Sequence, residues 1–550
     1  MKKQGFVGGA VILMGMVVIT KAIGMIYKIP LTNLLGGEGM AYYSGAFAVF
    51  TPVYAVAVSG IAPSVARLTA DCVLAGRYSD ALRLRRVSGW LFFGASAAAA
   101  GGLALLSVPL SGMFFGSRSA AAAVVLTAPV LVLSAAVSVE RGFCEGSGDM
   151  LPTAASEVLE TIVRAAAGLA LAYGAGAALL AEFRTRGTVL GQPCLSADEA
   201  ARLALPFSAA GAVAGNTLAS CASFIYMEVA ARRRTRGLAA LRTDRDRPTK
   251  RRRTVAREVM SYAVPVSLAA AISTLAGLID LVTVRRGISL AAGHGFSVEG
   301  ISPKRLPDLV YGSYTGAVLM LAGLVPTLTA MLGKSSLPMV TEAVKKRDSA
   351  LLRRRLGDVL LAGNIIACPC AALLCALPRE TLLFLFPGRQ TEVSLCALPL
   401  AVCGAGVLFS AAAAPCLSVL QTLGHRRTPI AAAACGAAAK LALNLLLIPM
   451  PRLNITGAAI STAASQAVMC GIAFGAVMRS SGGLPDLGRA LVKPLFAGTL
   501  CGAAARTAAD MAAALPPRVG FVTAAAAGGA VYLAALALME GKAAKTLPLA

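Results

Sequence analysis

Apolar runs of about twenty residues recur along the whole chain, each long enough to cross a ~30 Å hydrocarbon core as a helix. Six of them, near 5–27, 41–63, 87–108, 119–139, 154–180 and 203–228, precede a markedly basic stretch. Six more, near 259–283, 309–333, 357–377, 393–416, 429–449 and 455–478, follow it. Two last runs, near 490–512 and 519–539, stand apart from both sets. The pattern predicts an all-α polytopic membrane protein with about 14 transmembrane helices. The first run is longer than a signal-peptide core. The segment after it, Lys28 to Gly39, offers no small-residue cleavage site, so the run reads as the first transmembrane helix.

The two sets of six resemble one another. "ITKAIGMI" (19–26) matches "ISTLAGLI" (272–279), and "ALRLRRV" (81–87) matches "ALLRRRL" (350–356). Gly148–Arg164 matches Gly424–Lys440 at an offset of 276, which pairs Arg164 with Lys440. The three matches keep the same order along the chain. Six helices return a chain to its starting side, so the halves share an orientation and are related by a pseudo-two-fold axis along the membrane normal. The expected organisation is an N-terminal six-helix lobe (1–230), a basic cytoplasmic linker (231–258), a C-terminal six-helix lobe (259–480), and two additional helices with a tail (481–550). Two like-oriented bundles imply an alternating-access transporter with its substrate at their interface.

Composition agrees. Of 550 residues, 57% are hydrophobic and 14% charged, where a soluble chain carries about 25% charged; the mean hydropathy is +0.73. The net charge of +25 is distributed by side of the membrane. With the N-terminus inside, 34 of the 51 Lys and Arg fall inside, 14 outside and 3 within helices. The richest segments, "RRRTRGLAALRTDRDRPTKRRRTVAR" (232–257) and "KKRDSALLRRR" (345–355), both land inside. This is the positive-inside rule, with both termini cytoplasmic. Basic loops of this kind attract anionic lipid headgroups and account for the charge without nucleic acid.

Enzymatic chemistry is not indicated. There is no Ser/His/Asp set, no GxxxxGK[ST] loop and no metal cluster, so neither catalysis nor an ATP-driven pump is expected, and no cofactor beyond a coupling ion (Na⁺ or H⁺) or the membrane potential. Of the 13 cysteines none forms a CxxC, and only His294 and His425 could join them; they read as small apolar residues, with no zinc site and no disulfides.

Charges inside the runs carry the functional question, because an ionisable group at the bilayer centre costs about 2.5–3.5 kcal/mol on insertion scales. Lys21 and Lys28 lie seven residues apart on one face of the first helix. Arg164 follows Glu160 and Glu157 at spacings of four and seven, an order that lets Glu160 and Arg164 neutralise one another. Lys440 has Asn444 one turn on. Asp280 lies near the outer end of the seventh helix and Arg67 near the inner end of the second. Lys21 and Lys440 have no carboxylate within a helical turn, so their partners come from another helix, from water or from a ligand. A surplus of isolated cations suits an anion, phosphate above all.

Three segments resemble a known family: "KAIGMIYKIPLTNLLGGEGMAYY" (21–43), "RGFCEGSGDMLPTAASEVLETIVR" (141–164) and "LQTLGHRRTPIAAAACGAAAKLALN" (420–444). They are similar to the stage V sporulation protein B branch of the polysaccharide-flippase group, which includes MurJ-type lipid II flippases and is related to the MATE-like (MOP) superfamily. The resemblance implies two six-helix lobes arranged as a V plus two extra helices. It also implies flipping of an undecaprenyl-pyrophosphate-linked oligosaccharide, a cell-wall or spore-cortex precursor, across the bacterial cytoplasmic membrane. Basic residues of helix 1 would meet the pyrophosphate, which places Lys21 and Lys28 there. The chain departs from the better-studied flippases in two helices. "TPVYAVAVSG" (51–60) carries no arginine, and "LVYGSYTGAVLMLAGLVPTLTAML" carries no charge.

The leading expectation is therefore a lipid-linked oligosaccharide flippase with Lys21, Lys28, Arg164, Lys440 and Asn444 binding substrate and Glu157, Glu160 and Asp280 in support. A MATE-type exporter of organic cations would instead use Glu160 and Asp280 as coupling carboxylates. A third alternative is a scaffold that recruits cell-wall synthesis proteins through the basic loops.

Overall fold

The computed structural model describes residues 6–115, 121–240, 249–335, 339–340, 342–343, 346, 348–423, 425 and 427–540. Residues 241–248 of the basic linker, Lys345 and Arg347 of the second basic segment, and the tail from 541 lie outside them. Long helices dominate, as an apolar solvent requires: a backbone in lipid must satisfy its own hydrogen bonds.

The first part of the chain forms α1 (Phe6–Ala57), α2 (Ile61–Leu74), α3 (Tyr78–Phe115), α4 (Ala121–Val125), α5 (Ala128–Gly146), α6 (Leu151–Arg186) and α7 (Ala197–Ala240). Between α6 and α7, Thr188–Val189 and Gln192–Pro193 pair antiparallel as a minimal hairpin. α8 (Arg252–Gly293) follows. Then come α9 (Leu306–Ser313), a π-helical turn (Tyr314–Val318), α10 (Leu319–Ala322), α11 (Leu324–Ser335), α12 (Ser349–Ala376), α13 (Pro378–Leu385), α14 (Gln390–Thr422), α15 (Arg427–Leu447) and α16 (Asn454–Ser481). A second π turn (Gly488–Val492) leads into α17 (Lys493–Met511), and α18 (Pro517–Glu540) is last.

Among the described residues, 11 helical spans are long and apolar enough to cross a membrane, against about fourteen read from the sequence. The first two runs fall within one span, Val18–Leu74. The segment 28–40, expected as a loop, is helical on both sides of a break at Gly36, whose φ of 63° is left-handed. Lys28 is thereby inside a helix. The runs in α7 and α17 are not among those spans: α7 is rich in Ala, Gly, Ser and Thr, whose small side chains contribute little hydropathy, and α17 also carries Lys493, Arg506 and Asp510.

The chain divides into two compact units, Met1–Leu281 and Val282–Ala550, with the division inside α8. In the first unit α6 packs along α7, with α5 and α1 against this pair and α2 and α3 against α5. Close approach of α6 and α7 depends on glycine: a Cβ on Gly215 would stand 2.4 Å from the backbone of Gly168, and one on Gly211 2.5 Å from the Leu171 carbonyl oxygen. Small residues at helix crossings are the membrane substitute for an oily core. Arg67, near the inner end of the second run, lies over the Tyr262 ring at 4.5 Å.

In the second unit α14 packs on α16 and α12, α15 on α16, and α17 on α18 and α12. Leu352, Leu356, Leu360, Val419, Leu420 and Val477 fill one core there. The Tyr314 hydroxyl, in the π turn, donates to the Ala458 carbonyl at 3.1 Å and meets Thr462 Oγ1 at 2.9 Å. Arg285 on the end of α8 is ion-paired to Asp308 of α9.

Candidate functional site

The candidate side chains of the first unit sit on α1 and α6, apart from Asp280 on α8. α6 begins with Pro152 in its first turn and ends at Gly187 in the left-handed conformation, with Arg184 and Arg186 in the last turn, a start and a stop that suit a helix. Its Thr153, Ala154, Ser156, Thr161, Gly168 and Ala172 are buried. Glu157, Glu160 and Arg164 stand beside that face.

Glu160 is held from both sides. Its Oε1 accepts from Arg164 Nη2 at 2.7 Å and its Oε2 from Arg141 Nη2 at 3.0 Å. Arg141, on α5, also donates Nε to Ser156 Oγ at 2.9 Å and Nη2 to Ser223 Oγ of α7 at 3.2 Å, and lies 3.9 Å from Glu157 Oε1. These four groups thus form one charge-balanced station whose side chains are 16% (Arg141), 18% (Glu160), 33% (Glu157) and 35% (Arg164) exposed.

The two arginines are not equivalent. Arg141 is spent on acceptors from α6 and α7. Arg164 has its Nε buried with no hydrogen-bond partner among the described residues, and a buried unmet donor of this kind costs about 1–3 kcal/mol. Arg164 also lies within electrostatic reach of the hydroxyls of Tyr27, Tyr43 and Tyr54 on α1.

Tyr27 fixes how α1 meets α6. It is buried, and its hydroxyl occupies the space above Gly168, where a Cβ would come within 2.6 Å of it. Gly168 is one turn beyond Arg164, so α1 runs beside the cation. Lys28, the next residue, is half-buried, and Lys21 is exposed. Neither lysine makes a hydrogen bond or ion pair with a described residue. The structure therefore brings Lys21, Lys28 and Arg164 onto two adjacent helices.

The second-unit candidates lie on α15. Lys440 and Asn444 are both buried on its inner side with Ala432 and Gly436. Asn444 Nδ2 donates to Thr283 Oγ1 at 2.8 Å, and Lys440 is itself engaged in a polar or electrostatic interaction. Asp280, three residues before Thr283 on α8, is buried and likewise engaged.

Arg141 is the residue that sequence reasoning missed. Partners were sought within one helical turn, whereas Arg141 reaches Glu160 across a helical hairpin. The signal was there: the tight Gly146-Ser147-Gly148 turn, with Gly148 at φ 84°, joins α5 directly to α6, which leaves Arg141 near enough for its long side chain to reach Ser156 and Glu160.

A second polar network lies on α3, α5 and α7. Arg85 Nε donates to Glu140 at 2.6 Å and its Nη2 to Glu228 at 3.2 Å, while Glu228 also accepts from Arg232 at 2.7 Å. Arg234 donates to Ser147 Oγ at 2.8 Å, tying α7 to the α5–α6 turn. Its carboxylates and cations satisfy one another, which marks it as structural.

Fold and charge placement together define a multi-pass membrane protein with the MurJ/MATE-like transporter fold. The lipid II flippase MurJ in an inward closed conformation superposes with a TM-score of 0.65 over 96% of this chain and 99% of that one, at 10% identity. An inward-facing multidrug resistance MATE family transporter of the MOP superfamily gives 0.62 over 86% and 98%, at 12% identity. By sequence, residues 6–184 match the polysaccharide biosynthesis protein family. Stage V sporulation protein B of Bacillus subtilis (strain 168) is 22% identical over 479 residues, 84% of this chain and 81% of the relative. The membrane protein YabM of the same organism is 24% identical over 476 residues, 84% and 78% respectively. The resemblance carried by the three sequence segments thus extends to fold and to relatives spanning most of the chain.

Proposed function

We propose that the protein is a flippase that moves an undecaprenyl-pyrophosphate-linked oligosaccharide, a lipid II-like cell-wall or spore-cortex precursor, across the bacterial cytoplasmic membrane by alternating access, with both termini cytoplasmic. The observation that carries this reading is Arg164. Its guanidinium keeps a buried donor unmet, next to a helix with two lysines, Lys21 and Lys28, that no described side chain neutralises. A pyrophosphate supplies the acceptors that such a set lacks, and arginine binds it in a bidentate manner. In the second unit, Lys440, at the repeat position of Arg164, and Asn444 one turn on are the candidate anion partners.

Glu160 orients Arg164, and Glu157 shares the load of Arg141. This use of Glu160 runs against the cation-exporter alternative, because a carboxylate clamped by two guanidiniums is poorly placed to exchange a proton or Na⁺. The coupling ion is then sought elsewhere, with Asp280 as the supporting carboxylate.

The test is leaflet accessibility of lipid II in vesicles carrying the purified protein. Wild type should speed translocation well above empty vesicles. Arg164→Ala should lower the rate by about 100-fold, the equivalent of the roughly 1.5–3 kcal/mol that a charged hydrogen bond contributes, while Arg164→Lys should recover part of it. Equal rates in wild-type and empty vesicles, with the protein shown to be folded, would sink the reading.

A further inference from the structure

A groove of about 600 Å³ lies between the start of α3 and the start of α8, both within the first unit, lined among others by Arg83, Arg86, Trp90, Arg252 and Arg253. We propose that it is a binding site for an anionic membrane phospholipid, with the phosphate held by the arginines and the chains lying along the tryptophan. This assignment requires only that the chain spans a membrane; it does not depend on the cargo of the Arg164 station.

The groove is built by a polar scaffold. Thr249 donates to Asp80 through its backbone N at 2.9 Å and its hydroxyl at 2.5 Å. Arg83 Nη1 donates to the Lys250 carbonyl at 2.6 Å, and Lys250 Nζ pairs with Glu258 at 2.6 Å. These bonds pin the chain entering α8 to the first turns of α3 and bring four guanidiniums to one opening. They also consume the nearby carboxylates, Asp80 and Glu258. Arg86, Arg252 and Arg253 are left with no hydrogen bond or ion pair to any described residue. Cations gathered in this way repel one another until an anion joins them.

The apolar half of the site narrows the class of anion. Trp90, the chain's sole tryptophan, is 75% exposed one turn along α3 from Arg86, and Val87 and Leu91 line the groove beside it. Phe93 is exposed on the same helix just beyond. Tryptophan favours the headgroup level of a bilayer, and α3 and α8 continue from here as membrane spans. Guanidiniums, then an interfacial indole, then apolar helix is the order of groups along a phospholipid. A soluble phosphate would use the arginines and leave the indole unexplained.

The second unit supplies a control. A groove of about 320 Å³ there holds Arg353 and Arg354, from the segment that matches 81–87, with Arg489, yet Asp358 and Asp486 line it too. There Arg353 Nη1 is already spent on the Gly482 carbonyl at 3.2 Å. The groove's two carboxylates offset most of the charge of its three arginines, and it has no tryptophan.

The sole tryptophan makes the test direct. Full-length protein is reconstituted in phosphatidylcholine vesicles containing either brominated phosphatidylglycerol or brominated phosphatidylcholine at equal mole fraction, and quenching of Trp90 emission is recorded. The anionic lipid should be enriched at Trp90 by about fivefold or more, the weight of one or more interfacial arginines. Arg252→Gln/Arg253→Gln, or Arg86→Gln alone, should bring the two quenching curves together, whereas Arg353→Gln/Arg354→Gln should leave them apart. Equal quenching by both lipids in wild type would overturn the proposal. So would relief of the anionic-lipid quenching by millimolar inorganic pyrophosphate, which would mark a soluble-anion site. Selective relief by a small amount of unlabelled undecaprenyl pyrophosphate would assign the groove to cargo and overturn it as well. A thermal melt of each variant separates lost binding from lost folding.

Discussion

Arg164 and Lys440 occupy the same position in two similar halves, and their surroundings have diverged. One turn before Arg164 stands Glu160; one turn before Lys440 stands Gly436. One turn after Arg164 stands Gly168, packed under Tyr27; one turn after Lys440 stands Asn444, bonded to Thr283. The first half thus supports its cation with a carboxylate and uses glycine for packing further along. The second half places the glycine before the cation and a neutral amide after it. On the proposed reading the charge is the shared requirement of the anion and its support is local to each half.

The comparison breaks most visibly at Glu160. Glu160→Ala would leave Arg141 and Arg164 facing one another in a half-buried setting without their common anion. Removing one member of a buried ion pair costs roughly 3–5 kcal/mol, so we expect the largest loss of thermal stability here, read as a fall in melting temperature of the detergent-solubilised protein. Adding Arg164→Ala should restore part of it. No change in melting temperature for Glu160→Ala would mean that the station is not an electrostatic unit, and that Arg164 stands as alone as the first-helix lysines.

Packing gives the next largest effect. Gly215→Ala sets a Cβ 2.4 Å from the Gly168 backbone, which cannot move without parting α6 from α7, and should cost about 1–3 kcal/mol. Gly436→Ala, at the contact of α15 with α16 in the second unit, meets Met469 Cγ at 2.6 Å. That is a flexible side chain that can swing aside, so the cost should stay below about 1 kcal/mol. Melting curves of the two variants should therefore separate clearly; equal costs would show that α15 and α16 are as tightly joined as α6 and α7.

How far the sequence foretold these features depends on the range of the interaction. The helices and the Glu160–Arg164 pair were legible because hydropathy and i,i+4 spacing are local properties. Arg141 was not, since its role arises from a hairpin that brings α5 against α6. The helical course of the residues after Lys28 was not legible either, because the glycines and polar residues of 28–40 resemble a turn, yet Gly36 alone absorbs the break. The arginine groove was visible only as basic composition; that Asp80 and Glu258 are spent on Thr249 and Lys250, leaving Arg86, Arg252 and Arg253 unmatched, is a fact of tertiary placement.

The smallest effect tests the second half directly. Asn444 is fully buried and donates to Thr283 at 2.8 Å, tying α15 to the end of α8. Asn444→Ala removes this neutral hydrogen bond, whose loss should cost about 1 kcal/mol of stability. Thr283→Val should cost more, up to about 3 kcal/mol, because it removes the acceptor from a buried amide while keeping the volume. If Asn444 serves only this bond, the double variant will show a coupling near the cost of the bond itself, and lipid II translocation will fall no further than stability does. If it also meets the substrate beside Lys440, translocation by Asn444→Ala will fall well beyond what its melting temperature explains, and Thr283→Val will not reproduce that excess. The second outcome would place the anion's support in the second half on an amide, where the first half uses the Glu160 carboxylate to aim an arginine.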